Sequence, residues 1–435
     1  MQLTFVKSQL ARLMQRSIVQ ATFWLLIARL LRLVMQAAYF VIVARTLGSE
    51  QYGAFISVTA LVAIFSPFVS WGGGDILIKH VSRHRCLFNE CWGNALLLIL
   101  GSGLISLVLV LLAALIILPP TVSPILVLLI ALSDLIFLRI LDTTAKAFIA
   151  VDMPKISAQI NIIAALKSLI AALCLISWFD KPGILIWASL YCFSTMVAAL
   201  IGFLLVHLII GAPKISLPRL KSELKDGFLF SISLSAHTIY NDIDKTMLAR
   251  LSSLEATGIY AASYRLIDVT FVPIAALATA AYVKFFKQGL VGLRGTLQLA
   301  KSLSQTVCIY GITASIGLLI LAPIVPYILG DEYVNVVENL RWLSPIILLR
   351  SIQYLGADAL TGAGFQQIRS IIQIGVALFN VLINFWLIPQ HSWRGAAWSS
   401  LMSDTLLMLS IWLFILFICG YLNTSNKKCL DNLHK

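Results

Sequence analysis

The sequence predicts an all-α integral membrane protein with about twelve transmembrane helices, arranged as two parallel, pseudo-symmetric six-helix lobes around a central cavity. Three observations carry this reading. Of 435 residues, 60% are hydrophobic and 12% charged, and the mean hydropathy is +0.93, well outside the range of soluble globular chains. The stretch ARTLGSEQYGAF at 44–55 returns in degenerate form as ARLSSLEATGIY at 249–260. Lysines and arginines gather in alternate connections between the apolar segments.

The repeat organises the chain. Ala44, Arg45, Glu50, Gly53 and Phe55 recur as Ala249, Arg250, Glu255, Gly258 and Tyr260, each displaced by 205 positions. A long apolar segment precedes and follows each copy, so the motif reads as a tight turn between two spanning helices, with Gly53 and Gly258 allowing close approach. A weaker echo places Lys155 and Gln159 against Arg369 and Gln373, displaced by 214 positions.

The N-terminal MQLTFVKSQLARLMQRS is a basic amphipathic lead-in, without a small-residue cleavage site after the apolar run that follows, and reads as uncleaved. At about 20 apolar residues per crossing, the first lobe (1–210) has spans near 22–45, 51–71, 93–118, 122–141, 156–178 and 184–210. The run Gly72, Gly73, Gly74, Asp75 reads as the end of the second span. A connection at 211–227, GAPKISLPRLKSELKDG, holds two prolines and alternating charge, and marks the boundary between lobes. The second lobe (228–420) has spans near 228–250, 256–280, 303–329, 342–362, 369–388 and 395–420, followed by a tail at 421–435. The connection at 326–345, with three acids and three aromatics, reads as a short amphipathic surface helix.

Lys79, Arg83, Arg85, Lys146, Lys155, Lys214, Arg219, Lys221, Lys225, Lys284, Lys287, Arg294, Lys301 and Arg369 fall on one side of this arrangement, with the basic tail. The other side carries few: Arg45, Lys181, Arg250, Arg341 and Arg394. The asymmetry puts both termini in the cytoplasm, and an even number of spans per half makes the repeats parallel. The net charge of +13 is absorbed by these loops, so the phospholipid bilayer accounts for it and no nucleic-acid partner is needed. The seven cysteines lack CxxC spacing and sit mostly in apolar segments, where a thiol packs as a small hydrophobe. No metal cluster, cofactor fingerprint, Walker sequence or nucleophile elbow is present, and no loop is long enough for a catalytic domain.

Charges inside the spans are the candidates for function, because one near the bilayer centre costs about 2.5 kcal/mol or more. Arg29 and Arg32 lie in the first span, Asp242, Asp244 and Lys245 in the seventh, Arg265 and Asp268 in the eighth. At three-residue spacing, Asp242 with Lys245 and Arg265 with Asp268 can neutralise each other on one helix. Further charges are Asp134, Arg139, Lys167, Arg350, Asp358 and Asp404. Arg265 lies about 15 Å of helix past Glu255, and Arg32 about 20 Å before Arg45, depths poor for snorkelling. An inward-facing cavity lined by Arg32, Lys245 and Arg265 is the economical explanation, and its cationic character points to an anionic ligand. Asp242, Asp268 and Asp358 read either as proton or sodium coupling sites or as plain ion pairs. His237 is a possible protonation switch. Tyr39, Tyr240, Asn241 and Gln353 offer polar and aromatic contacts for a bound solute.

ARTLGSEQYGAF, then WGGGDILIKHVSR at 71–83, DIDKTMLARLSSLEATGIYAASYRL at 242–266 and NVLINFWLIPQHSWRGAAWSSLMSD at 380–404 resemble the polysaccharide transporter family of the multidrug/oligosaccharidyl-lipid/polysaccharide exporter superfamily. The resemblance covers both halves. It implies an inner-membrane flippase of the O-antigen type, moving undecaprenyl-pyrophosphate-linked oligosaccharide repeat units to the periplasmic leaflet by rocking of the lobes about the interhelical turns. It further implies work alongside a polysaccharide polymerase and chain-length proteins, with no cofactor. In related lipid II flippases, arginines of the first and eighth helices hold the pyrophosphate, and Arg32, Arg29 and Arg265 match by position. Those relatives carry two further C-terminal helices that hold the lipid tail, whereas this sequence ends after twelve spans. A drug exporter of the same superfamily calls for a carboxylate-dominated cavity, and a membrane polymerase or ligase for a large periplasmic loop. A channel or scaffold has no need of two repeated lobes.

Overall fold

The computed structural model describes residues 2–180, 182–217, 235 and 238–433, with side chains over 31–180, 182–217, 235 and 238–419. The expected linker beyond Leu217, the first residues of the seventh span, His237, Lys181 and the side chain of Arg29 lie outside the described residues. Every regular element among the described residues is helical. The chain forms two compact units, Met1–Leu47 with Ser57–Ser235 and Gly48–Ile56 with Ala236–Lys435.

The first unit begins with α1 (Gln2–Phe65), which breaks at Gly48 (φ 74°, ψ 174°), inside the repeated motif. That left-handed backbone is one an L side chain resists, so the glycine sets where one helix ends and the next begins. After α1, Pro67 and the left-handed Trp71 and Gly72 turn the chain into α2 (Gly73–Val81). The glycine run expected to close the second span therefore opens a new helix. Asp75 stands in its first turn and Lys79 and His80 in its last, matching the helix dipole at both ends. α3 (Phe88–Ile117) follows, then α4 (Pro124–Leu132), a π-helical turn at Ser133–Phe137, α5 (Leu138–Ala150), α6 (Pro154–Trp178) and α7 (Ile184–Ile209). Trp92, Leu77, Phe148 and Ile160 fill the core between α2, α3, α5 and α6. Leu104, Ile105, Leu115 and Ile116 of α3 are exposed, as an exterior facing lipid requires. Beyond α7 the chain is fastened back to α3: Asn94 donates to the Ser216 carbonyl and accepts from its amide, both at 2.9 Å.

The second unit contains α8 (238–251), α9 (Leu254–Gly289), α10 (Leu293–Leu321), α11 (Val325–Leu329), α12 (Asn335–Leu343), α13 (Ile346–Gly362), α14 (Gln366–His391) and α15 (Trp393–Leu433). Phe271, Ile274, Phe285, Leu355 and Ala359 form its core between α9 and α13. α14 and α15 are joined by buried amides, Asn380 donating to Ser403 Oγ at 3.1 Å and Ser399 Oγ at 3.3 Å, the type of polar contact that holds helices together in lipid. α12 is the amphipathic helix of the 326–345 connection, with Val336, Leu340 and Leu343 buried.

The two copies of the motif meet inside this unit. A Cβ placed on Gly53 would overlap the Leu254 carbonyl and lie 2.7 Å from the Gly258 amide nitrogen; one placed on Gly258 would overlap the Ser49 carbonyl and lie 3.2 Å from the Gly53 amide nitrogen. Since Ser49 and Leu254 are themselves equivalent positions of the repeat, the contact is reciprocal, as at an isologous interface. Glu332 braces the same turn, accepting from the Ser49 amide at 2.8 Å and its hydroxyl at 3.3 Å.

Nine helical runs among the described residues are long and apolar enough to cross a membrane. Three features separate this count from the expected twelve. Leu31–Val81 joins two crossings through the Gly48 break, α13 has only 17 residues, and α8 follows directly on residues outside those described.

Candidate functional site

Helical spacing gathers the polar residues of the second unit onto one cavity of about 300 Å³. Asn241 and Lys245 of α8, Tyr264 and Asp268 of α9, Arg350 and Tyr354 of α13, and Arg369 and Gln373 of α14 are all i, i+4 pairs, so each helix turns one polar stripe inward. Tyr240, Asp242, Gln353 and Asp404 of α15 complete the polar lining, and Phe271 and Leu407 supply apolar wall.

Asp404 is the hub of this lining. One carboxylate oxygen accepts from Arg350 Nε at 3.2 Å and the other from the Tyr240 hydroxyl at 2.7 Å. The Arg350 guanidinium lies over the Tyr264 ring at 5.4 Å, and its Nη1 stands 4.0 Å from Asp268. Asp404 is almost wholly buried while Asp268 is 56% exposed, so Arg350 is anchored on one side and open to a ligand on the other. Lys245 pairs with Asp242 at 2.5 Å, one turn away on α8. Asp244, between them, turns into the protein, where it accepts from the Lys245 amide and from the Tyr260 hydroxyl. Arg369 approaches Asp358 at 3.7 Å and donates to Thr361 Oγ1 at 2.8 Å.

The cavity wall thus carries three bases, Lys245, Arg350 and Arg369, against three acids, Asp242, Asp268 and Asp404. Charges held this way leave little net field, while their unused N–H groups and lone pairs, with the side-chain amides, offer directional hydrogen bonds. Tyr240, Tyr264 and Tyr354 add ring faces and hydroxyls. Such a wall suits a polyhydroxylated solute.

A model of the family described as polysaccharide biosynthesis protein matches residues 18–287, more than half of the chain. The chain belongs to that family. No curated protein matches this family member. Its fold is that of known transporters. It is similar to an inward-facing multidrug resistance MATE family transporter of the MOP superfamily, at TM-score 0.76 and 12% identity over 90% of this chain and 96% of that one. The lipid II flippase MurJ in an inward closed conformation aligns at TM-score 0.72 and 12% identity, over 91% of this chain and 87% of that one. A MOP superfamily transporter from Pyrococcus furiosus aligns at TM-score 0.64 and 13% identity, over 93% and 96%. This member of the polysaccharide biosynthesis protein family therefore has several apolar helices long enough to cross a membrane and shares its fold with known transporters and a flippase.

The residues singled out from the sequence fall in different places. Lys245 and Asp242 reach the cavity together as an ion pair. Asp268 also lines it but faces Arg350 and not Arg265; the expected Arg265–Asp268 pair is not among the ion pairs of the described residues. The reason lies in burial across helices, which brings a guanidinium from α13 closer than the one on the same helix. Arg265 is half-buried and outside the cavity lining, and Arg32 lies in the first unit, exposed. Asp358 is buried behind Arg369. Tyr240, Asn241 and Gln353 all line the cavity, while Tyr39 stacks on Trp187 in the first unit at 5.8 Å. Arg350 and Asp404 are visible in the sequence as charges inside spans and Arg369 as a loop base, but the sequence assigns none of them to a cavity. The available signal was a charge inside a span at positions 350 and 404, but no spacing links residues 54 apart on different helices.

Proposed function

We propose that this protein moves undecaprenyl-pyrophosphate-linked oligosaccharide repeat units, of the O-antigen or a related surface polysaccharide, across the bacterial inner membrane by alternating access. Both termini lie in the cytoplasm, and the polymerase and chain-length proteins of the same glycan act downstream. Three things support the reading: membership of the polysaccharide biosynthesis family, a fold shared with a lipid II flippase, and the cavity of the second unit. The cavity carries most of the argument. Its paired charges, three tyrosines and side-chain amides match the hydroxyls and ring faces of sugars better than a lipophilic cation, which calls for unpaired carboxylates and apolar walls.

The pyrophosphate falls to Arg32 and Arg265, with Arg29. Among the described residues neither Arg32 nor Arg265 has a carboxylate within ion-pairing distance, so each has a full guanidinium to offer phosphate. Lys245 is already neutralised by Asp242, and its part is to shape the glycan cavity and to meet the phosphate only when that pair opens. Asp242, Asp268 and Asp358, each facing a base, are the proposed sites at which an ion drives the cycle.

The test is complementation of a deletion strain with wild type, Arg32→Ala, Arg265→Ala, Arg350→Ala and Arg265→Lys, with membrane abundance measured alongside surface glycan and lipid-linked repeat units. Loss of surface glycan with accumulation of lipid-linked units, at unchanged protein abundance, is the expected result for each alanine variant. Unchanged glycan in the deletion strain itself sinks the flippase reading. Normal glycan with both Arg32→Ala and Arg265→Ala removes the pyrophosphate assignment alone.

A further inference from the structure

The first unit holds a second polar cluster, buried and separate from the cavity described above. Lys167, on α6, is only 6% exposed. Its stem lies along an apolar groove between α6 and α7, beside Ile163, Leu166, Ile170 and Phe193. The ammonium turns inward and donates to Thr195 Oγ1 at 2.6 Å, lying 4.2 Å from the centre of the Tyr191 ring. No carboxylate stands within 4.0 Å of it among the described residues. Asp134 is equally buried, in the π-helical turn, and accepts from the Tyr191 hydroxyl at 2.9 Å. Ser133 donates to Thr195 Oγ1 at 3.0 Å, and Thr195 in turn donates to the Tyr191 carbonyl at 2.7 Å.

An ammonium has three donors, and here one oxygen and one ring face receive them. A buried ion pair is normally held by direct contact, because the desolvation of each partner is otherwise uncompensated. Here the two charges are kept apart by Tyr191 and Thr195. The π turn presents Asp134 by inserting an extra residue into the helix, a device found mostly at functional sites. Other ionisable groups near the pair come from every packed element. Arg139 and Asp142 of α5 are taken by each other at 3.4 Å; Cys192 and Tyr191 belong to α7; Tyr39 belongs to α1. Among the described residues Asp134 is the acid that acts most strongly on Lys167, ahead of Asp142.

We propose that Lys167 and Asp134 form a proton-exchange site of the first unit, in which the Lys167 ammonium releases one proton to water and regains it as that unit changes shape. No electron moves and no bond other than N–H is broken. Thr195 accepts from the ammonium, Asp134 stands across Tyr191 from it, and the apolar groove lies along the stem. The site is distinct from Asp242, Asp268 and Asp358 and holds whichever solute the chain carries.

Trp187 supplies the reporter, since its ring is buried 5.7 Å from that of Tyr191. We would label the full chain with 5-fluorotryptophan in phospholipid nanodiscs, assign residue 187 through Trp187→Phe, and follow its fluorine resonance over about pH 5 to pH 10. The wild-type resonance is expected to show a titration step. Lys167→Arg keeps the positive charge but cannot release it in this range, so the step disappears while thermal stability stays near wild type. Asp134→Asn and Thr195→Val each remove a partner of the ammonium and move the step to lower pH, by at least about one unit, a tenfold change in proton affinity. Lysines labelled with carbon-13 at Cε give the same answer in the wild type without any substitution, as one buried lysine whose signal titrates in that range. A wild-type resonance that does not move, a step that survives in Lys167→Arg, or carbon signals all fixed as ammonium would each overturn the proposal in favour of a static buried cation.

Discussion

Replacing Gly53 by alanine should weaken the second unit out of proportion to one methyl group. Its Cβ would stand 2.7 Å from the Gly258 amide nitrogen and 2.8 Å from the Leu254 carbonyl carbon, both backbone atoms with no rotamer to yield. Ordinary carbon contact begins at about 3.5 Å, so the two turns must part by roughly an ångström. Overpacking of this kind costs about 1–3 kcal/mol, equivalent to about 5- to 150-fold in the folded population. Gly258→Ala should cost a similar amount, because its Cβ meets the equivalent backbone of the other copy, including the Ser49 carbonyl carbon at 2.9 Å. The reciprocity makes a sharper claim. Once one alanine has parted the turns, the second enters a gap already open, so the double variant should cost less than the two singles added, by about 0.5–3 kcal/mol. Gly317→Ala, whose Cβ meets nothing within 4 Å, is the control and should be neutral or slightly stabilising. Equilibrium unfolding of the purified protein in bicelles by added detergent measures all four. Equal stability of Gly53→Ala and Gly317→Ala, or full additivity in the double variant, would refute the reciprocal contact.

Asp404→Asn strands the buried Arg350 guanidinium and should cost about 3–5 kcal/mol in the same assay, with much of the loss recovered when Arg350→Gln is added. Glu332→Ala removes the acceptor for the Ser49 amide and should cost about 1 kcal/mol, as loss of a helix N-cap does, whereas Glu332→Gln keeps an acceptor oxygen and most of the stability. Lys146→Met breaks the ion pair with Asp75, whose side chains are 37% and 53% exposed; the change should stay below about 1 kcal/mol and shrink further in salt, measured by unfolding at two ionic strengths.

Part of the site is legible in the sequence alone. Tyr240, Asn241, Asp242 and Lys245 follow one another on a single span, so their common depth and their ion pair are local facts of helical spacing. Asp268 is legible as a candidate for the same reason, yet its partner is not, because Arg350 comes from a helix whose rotation no one-dimensional pattern specifies. The same holds for Lys167, visible as a charge inside a span but given its surroundings by α4, α5 and α7 packing around it.

What the sequence by itself determined is everything that depends on composition and short-range periodicity. Apolar runs of spanning length leave helices as the answer, since an unpaired backbone polar group in lipid costs several kcal/mol. The duplicated ARTLGSEQYGAF and ARLSSLEATGIY stretches marked the turns, and Gly48 set the break in α1. Tertiary structure alone decided that the two copies pack on each other through Gly53 and Gly258, that the glycine run after Trp71 opens a helix and does not close one, and that Asp404 gathers Arg350 and Tyr240 into the cavity. Each of these rests on contacts between residues far apart in the chain, whose geometry is set by the mutual rotation of packed helices, and helical periodicity carries no information about that rotation beyond which residues share a face.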